Sequence, residues 1–184
     1  GGWLAALVDS PAPRIQKQMT WLATVLATRG MPRILLEHHL ELVCEELTAE
    51  IPEREQDHAK LRAAAESLAD ARRALIADED LHRISRRFDT LVESEWGRRL
   101  PGTGTLLVSA TVDEYDGLTG ALGSVREWLV SPSRFSEQWI RAVDDTIAET
   151  RRAFIPPDRH PATPPPEDAS AAQDHSETTD RSQR

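Results

Sequence analysis

Apolar residues recur every third or fourth position through the first half of this chain, and that spacing constrains its fold more than any other feature. Ile15, Met19, Leu22, Val25 and Leu26 form one stripe, and Leu36, Leu40, Val43 and Leu47 a second. Leu61, Ala65, Leu68 and Leu75 form a third. Leu81, Ile84, Phe88 and Leu91 form a fourth, at coiled-coil-like spacing. Each stripe is one face of an α-helix and has to be buried against another element. The punctuation between the stripes agrees. Asp9-Ser10-Pro11 suits a helix start, and in Arg29-Gly30-Met31-Pro32 the glycine fits a left-handed C′ position while the proline fits a first turn. Two helices joined so tightly should pack as an antiparallel hairpin.

The second helix is predicted over about 32–51, with Leu35 and Leu42 widening its apolar face, and the third over about 53–76. Asp78 is a plausible N-cap for the fourth, which Trp96-Gly97 closes. Residues 3–8 (WLAALV) read as the end of a further apolar helix. After a loop over 98–105, Leu106, Val108, Ala110 and Val112 alternate in the manner of a strand. No second strand exists to pair with it, and an unpaired strand leaves its backbone groups unsatisfied, so a helix is predicted there. Gly117, Gly120 and Gly123 suggest either a close helix crossing or a glycine-rich loop. A helix over 124–130 follows, and a last one runs from Ser131-Pro132 to Phe154, burying Ile140, Val143 and Ile147. From 156 onward there is no Val, Leu, Ile, Met or aromatic residue, so that stretch cannot offset the entropy of ordering. The expected architecture is an all-α helical bundle of about six or seven helices over 1–155, with a disordered tail over 156–184.

Charge narrows the partners. The formal net charge is −9, from 31 acidic and 22 basic residues, and no basic block is long enough to displace counterions from phosphate. Nucleic acid is not an expected partner. Arginine carries nearly all the positive charge, since Lys17 and Lys60 are the only lysines, which suggests a GC-rich bacterial genome. Cys44 is the only cysteine, so one chain can form neither a disulfide nor a cysteine-based metal site. No apolar run approaches membrane-spanning length and no signal-peptide pattern is present, so no membrane is expected and the cytoplasm is the default compartment. The Gly-Gly start without a methionine fits a piece of a longer chain.

The candidate chemistry is sparse. Glu-x-x-His occurs at Glu55/His58 and Glu79/His82, as in di-metal carboxylate bundles, but helical phase turns Glu79 and His82 toward water and sets Glu55 well off the Leu61/Leu68 face. Asp144-Asp145 with Glu149 resembles a magnesium-diphosphate motif, in a chain too short for that fold. Gly102-Thr103-Gly104-Thr105 lacks the Gly-Lys-Ser/Thr of a P-loop, and Asp113-Glu114-Tyr115-Asp116-Gly117 lacks EF-hand spacing; both read as turns. His39 falls inside the broad apolar arc of the second helix, whereas His38 points to solvent. A buried His39 could ligate a tetrapyrrole or act as a pH-sensitive contact; the plainer reading is a core histidine bonded to a carbonyl. Cys44, on the margin of that face, reads as a small buried apolar residue. Five tryptophans against one tyrosine and three phenylalanines either line a cavity for a flat apolar ligand or supply core volume. His39, Trp21 and Cys44 are the candidate ligand-binding residues. No catalytic constellation and no metal site is evident.

Trp21-Leu22, Arg29-Gly30-Met31-Pro32, then Leu36, Leu40, Leu42 and Leu47 resemble the helical segment that accompanies cobalamin-binding modules in bacterial regulators. The resemblance covers about 3–51. The cofactor signature Asp-x-His-x-x-Gly is absent, so the resemblance implies a regulatory helical module without implying B12 binding. The sequence therefore points to a non-catalytic regulatory or sensory binding module for a protein partner or a small apolar ligand, with an oligomer left open. The alternative is a tetrapyrrole- or metal-binding helical protein, with enzymatic activity left open, using His39.

Overall fold

A computed structural model describes residues 9–154, and the expectations for 3–8 and for the tail over 156–184 lie outside them. The described residues form eight α-helices and no strand. They are α1 (Ala12–Ala27), α2 (Arg33–Glu50), α3 (Glu55–Arg73), α4 (Asp78–Leu91), α5 (Ser94–Arg99), α6 (Thr103–Tyr115), α7 (Ala121–Leu129) and α8 (Glu137–Ala153), with a 3-10 turn at Pro52–Arg54. The all-α bundle is as expected. The extra helix is α5, because the fourth stripe ends at Leu91 and the backbone extends at Val92 and Glu93 before one short helix.

Three apolar clusters organise the bundle. Ile15, Met19 and Ala23 of α1 meet Leu36, Leu40 and Cys44 of α2 and Leu61, Ala65 and Leu68 of α3, which closes a three-helix first half. In the second half, Phe88, Leu107, Leu122, Val125, Leu129, Trp139 and Val143 fill a core between α4, α6, α7 and α8. Phe88 meets Trp139 edge-on at 5.2 Å, and Phe135 stacks on the same indole at 5.0 Å. Ile34, Ile76, Leu81, Ile84, Val108 and Val112 bridge the two halves.

Residues 106–112 belong to helix α6, against their strand-like alternation. Leu107 through Asp113 are all buried, so α6 is enclosed along its middle and occupies the centre of the second half. A helix surrounded on all faces needs no polar face, and its sequence then loses the 3.6 period. The glycine expectations change places. Gly117 and Gly120 adopt φ of +90° and +88° in the α6–α7 turn, and Gly123 meets nothing, so no helix crossing is built there. The close crossing is at Gly104, which lies in the first turn of α6 rather than in a loop. A Cβ on Gly104 would come 2.6 Å from the Ser85 carbonyl oxygen of α4.

Two arginines with largely buried side chains, Arg33 and Arg72, make ionic contacts that tie elements together. Arg33 Nε donates to Asp113 Oδ1 at 2.7 Å, and the Arg33 backbone N–H donates to Asp113 Oδ2 at 2.9 Å. The Asp113 carboxylate thus caps α2 from a distant helix, where Pro32 leaves Arg33 as the first donor. Across α2 and α3, Arg72 Nη2 and Nε reach Glu37 at 3.0 and 3.2 Å, and Arg72 Nη1 donates to Asp78 at 2.5 Å. Asp78 is therefore the first residue of α4 and an arginine partner, not the N-cap expected of it. The last helix likewise begins later than expected, at Ser136, whose hydroxyl accepts from the Trp139 backbone N–H.

Candidate functional site

The three residues singled out in the sequence do not converge. His39 is exposed, which corrects the expectation of a buried imidazole. Leu35 and Leu42 are also exposed, so the apolar arc of α2 is narrower than its sequence suggests, and only the Ile34/Leu36/Leu40/Cys44 side faces the core. Cys44 is buried as expected, and its thiol donates to the His58 carbonyl oxygen at 3.3 Å. It lies about 140° around α2 from His39. Trp21 is 65% exposed on α1. Of the other tryptophans, Trp139 is fully buried and Trp96 packs on it at 6.0 Å, so these two supply core volume.

The buried histidine is instead His58. It continues the Leu61, Ala65 and Leu68 face of α3, a spacing legible in the sequence, whereas its motif partner Glu55 and the second pair, Glu79 and His82, are exposed. Its Nδ1 has no hydrogen-bond partner among the described residues. An unpaired buried imidazole nitrogen costs stability that an apolar side chain would not. His58→Leu is therefore expected to melt at the wild-type temperature or a few degrees above it. A clear drop in thermal denaturation would show that the imidazole makes a stabilising contact. Among the described residues no cluster of three or more His, Cys, Asp or Glu is placed to hold a metal ion, and no helix is long and apolar enough to cross a membrane.

The concave feature that could receive a ligand lies where the two halves meet. It is an open groove of about 510 Å³. The start of α2 contributes Ile34, Leu35 and His38; the turn into α6 and its first residues contribute Leu100, Pro101, Gly102, Thr103, Thr105 and Leu106; the end of α7 contributes Trp128 and Leu129. His38, expected simply to face solvent, lines this groove, while His39 does not. The chain path explains the assembly. Gly30, with φ of +80°, turns α1 into α2 directly against Ser124 of α7, and a Cβ there would sit 2.9 Å from the Ser124 Cβ. That contact, with the Asp113 cap, fixes the start of α2 beside α6 and α7.

Trp128 is 48% exposed, and its ring is held in place from behind. Phe135 packs edge-on at 5.5 Å, and the Arg134 guanidinium lies 5.8 Å from the ring centroid. Of the polar groups in the groove, the Thr103 hydroxyl donates to the Leu100 carbonyl at 2.8 Å, whereas the Thr105 hydroxyl and the His38 imidazole have no partner among the described residues. The chain matches no family model, no curated protein and no solved structure. Function is therefore read from this geometry alone.

Sequence reasoning missed the groove for a physical reason. Its walls come from three separated segments, and none of them carries a local motif. Trp128 was one of five tryptophans with no feature to distinguish it. The buried Asp113 was legible in one respect: a carboxylate on an enclosed helix must find a cation.

Proposed function

We propose that the chain is a non-catalytic binding module that takes a small apolar ligand in the groove between α2, α6 and α7. The observation that carries this reading is the groove's lining. Leu35, Ile34, Leu106, Leu129 and an indole held from behind surround a volume in the range of small-molecule sites, which are mostly apolar with a few polar groups. His38 and Thr105 are the unpartnered polar groups that would orient a ligand. Absence of an activated nucleophile or an acid–base pair beside them favours binding over turnover. A regulatory role is consistent with the resemblance of the first hairpin to the helical segment of bacterial regulators. The tetrapyrrole alternative loses its support, because an exposed His39 offers no enclosed axial position.

A naphthalene-type fluorophore is the direct probe. It is expected to bind saturably at one site per chain and to quench Trp128 emission. Trp128→Ala, at a half-exposed position, should weaken binding about tenfold while leaving the helical circular dichroism intact. Binding unchanged in that variant would refute the assignment.

A further inference from the structure

One face of α2 has no partner among the described residues. Leu35, Leu42 and Ala49 recur every seventh residue and are exposed, Leu42 to 57% and Leu35 to 42%. Four carboxylates on the exposed side of this helix, Glu41, Glu45, Glu46 and Glu50, make no ion pair among the described residues, as is also true of Glu55, Glu79 and Asp145 elsewhere.

The arrangement around Leu42 indicates what covers it. At about 100° per residue, His38 and Glu45 lie on one flank of the Leu35/Leu42/Ala49 line, and His39 and Glu46 lie on the other. The two histidines precede Leu42 by four and three residues, and the two glutamates follow it by three and four. A two-fold axis through Leu42, perpendicular to the helix, brings a second α2 antiparallel to the first. His38 then faces Glu45 of the second copy on one flank, and His39 faces Glu46 on the other. Symmetry doubles both contacts, and Leu42 meets its own counterpart at the centre. A parallel arrangement fails on charge, because it sets histidine beside histidine and glutamate beside glutamate.

We propose that α2 is a self-association surface on which a second copy of this chain docks antiparallel about Leu42, with His38 and His39 making the pairing acid-strengthened. A protonated imidazole opposite a carboxylate makes an ion pair, so the four cross-copy contacts strengthen with acid. On the α6 and α7 side of the groove, no lining residue carries a charge that would compete for His38. Lower pH also reduces the net charge of −9 that opposes association of two copies. The contact of one 18-residue helix face is small, so the dimer is weak and concentration-dependent.

Sedimentation equilibrium of the full chain at up to about 0.5 mM, at pH ~6 and ~8, tests this. The wild type is expected to dimerise, roughly tenfold more tightly at the lower pH. Leu42→Glu, at a position already exposed, should remain monomeric at both. A second measurement uses two variants, His38→Glu/His39→Glu and Glu45→Lys/Glu46→Lys. At pH ~8 the first should fail to self-associate because glutamate then faces glutamate, the second should gain no ion pair because neutral histidine faces lysine, and their equimolar mixture should form a heterodimer in preference to either homodimer. A wild type that stays monomeric, or a dimer that survives Leu42→Glu, overturns the proposal. Association that weakens with acid would mean that histidine faces histidine, and would overturn the antiparallel pairing. Capture of a basic peptide by a strictly monomeric chain would assign the acidic face to a different partner. The docking face and the groove share Leu35 and His38, so the two occupants compete; Trp128→Ala removes only the ligand site and Leu42→Glu, outside the groove, only the docking face, which keeps the two readings distinguishable.

Discussion

Asp113→Ala is expected to destabilise the protein by about 3–5 kcal/mol, lowering the melting temperature by about 10 °C for a domain of this size. The carboxylate is only 2% exposed and accepts from both the Arg33 side chain and the Arg33 backbone N–H. Removing it strips α2 of its cap and leaves a half-buried guanidinium with Asp116 alone, at 2.8 Å. Burial disfavours the Arg33 cation, but the two aspartates outweigh this and hold its pKa above the ordinary arginine range. Burial also pushes the Asp113 carboxyl above the ordinary carboxylate range, and Arg33 offsets this only in part. Charge at Asp113 is therefore costly, whereas its oxygens are needed. Asp113→Asn keeps an acceptor for the Arg33 N–H without a buried charge, so its loss should be about half that of the alanine variant. Thermal melts of the two variants decide the matter. An alanine variant within two or three degrees of wild type would show that the cap contributes little.

Gly104→Ala should cost about 2–3 kcal/mol, or roughly 5–10 °C, although alanine is the better helix former by about 1 kcal/mol. The new methyl would meet the Ser85 carbonyl oxygen at 2.6 Å, the Ser85 Cα at 2.9 Å and the Phe88 Cβ at 3.1 Å. Backbone cannot swing aside as a flexible side chain can, so α4 and α6 must separate. Their separation would loosen Phe88 from Trp139 and disturb the floor of the groove beside Thr103 and Thr105. Near-ultraviolet circular dichroism should therefore change along with the melting point. Gly123→Ala serves as the control, because nothing lies within 4 Å of the position its Cβ would take. Equal losses at both positions would mean that the α4–α6 crossing is not as close as described.

The contrast between these glycines shows where sequence is informative. Three of the amphipathic helices, α1, α3 and α4, followed from stripes such as Ile15/Met19 and Leu81/Ile84/Phe88, because each has one face in the core and one in water. The central helix α6 did not, because burial on every side erases the period. Its β-branched residues suggest a strand, and only the lack of any partner strand argues otherwise. Tertiary context also decided α2. Leu35, Leu42 and His39 look like an extension of its core face, but α1, α3 and α6 cover only the other side of that helix. The groove was not legible at all. Leu35, Thr105 and Trp128 come together only because Gly30 and Asp113 set the start of α2, and those contacts span 80 or more residues of sequence.

The distribution of sulfur and indole between the two halves has a practical consequence. The one thiol, Cys44, is enclosed by α1, α2 and α3, while Trp139 and Trp96 lie among α4 to α8. Trp21, on the first half, already faces water, so opening that half would change its emission little. Alkylation of Cys44 thus times the opening of the first three helices, and emission from Trp96 and Trp139 follows the other five. The native chain carries separate clocks for its two halves, and the interval between them measures how cooperatively the Ile34/Ile84/Val112 cluster couples their motions.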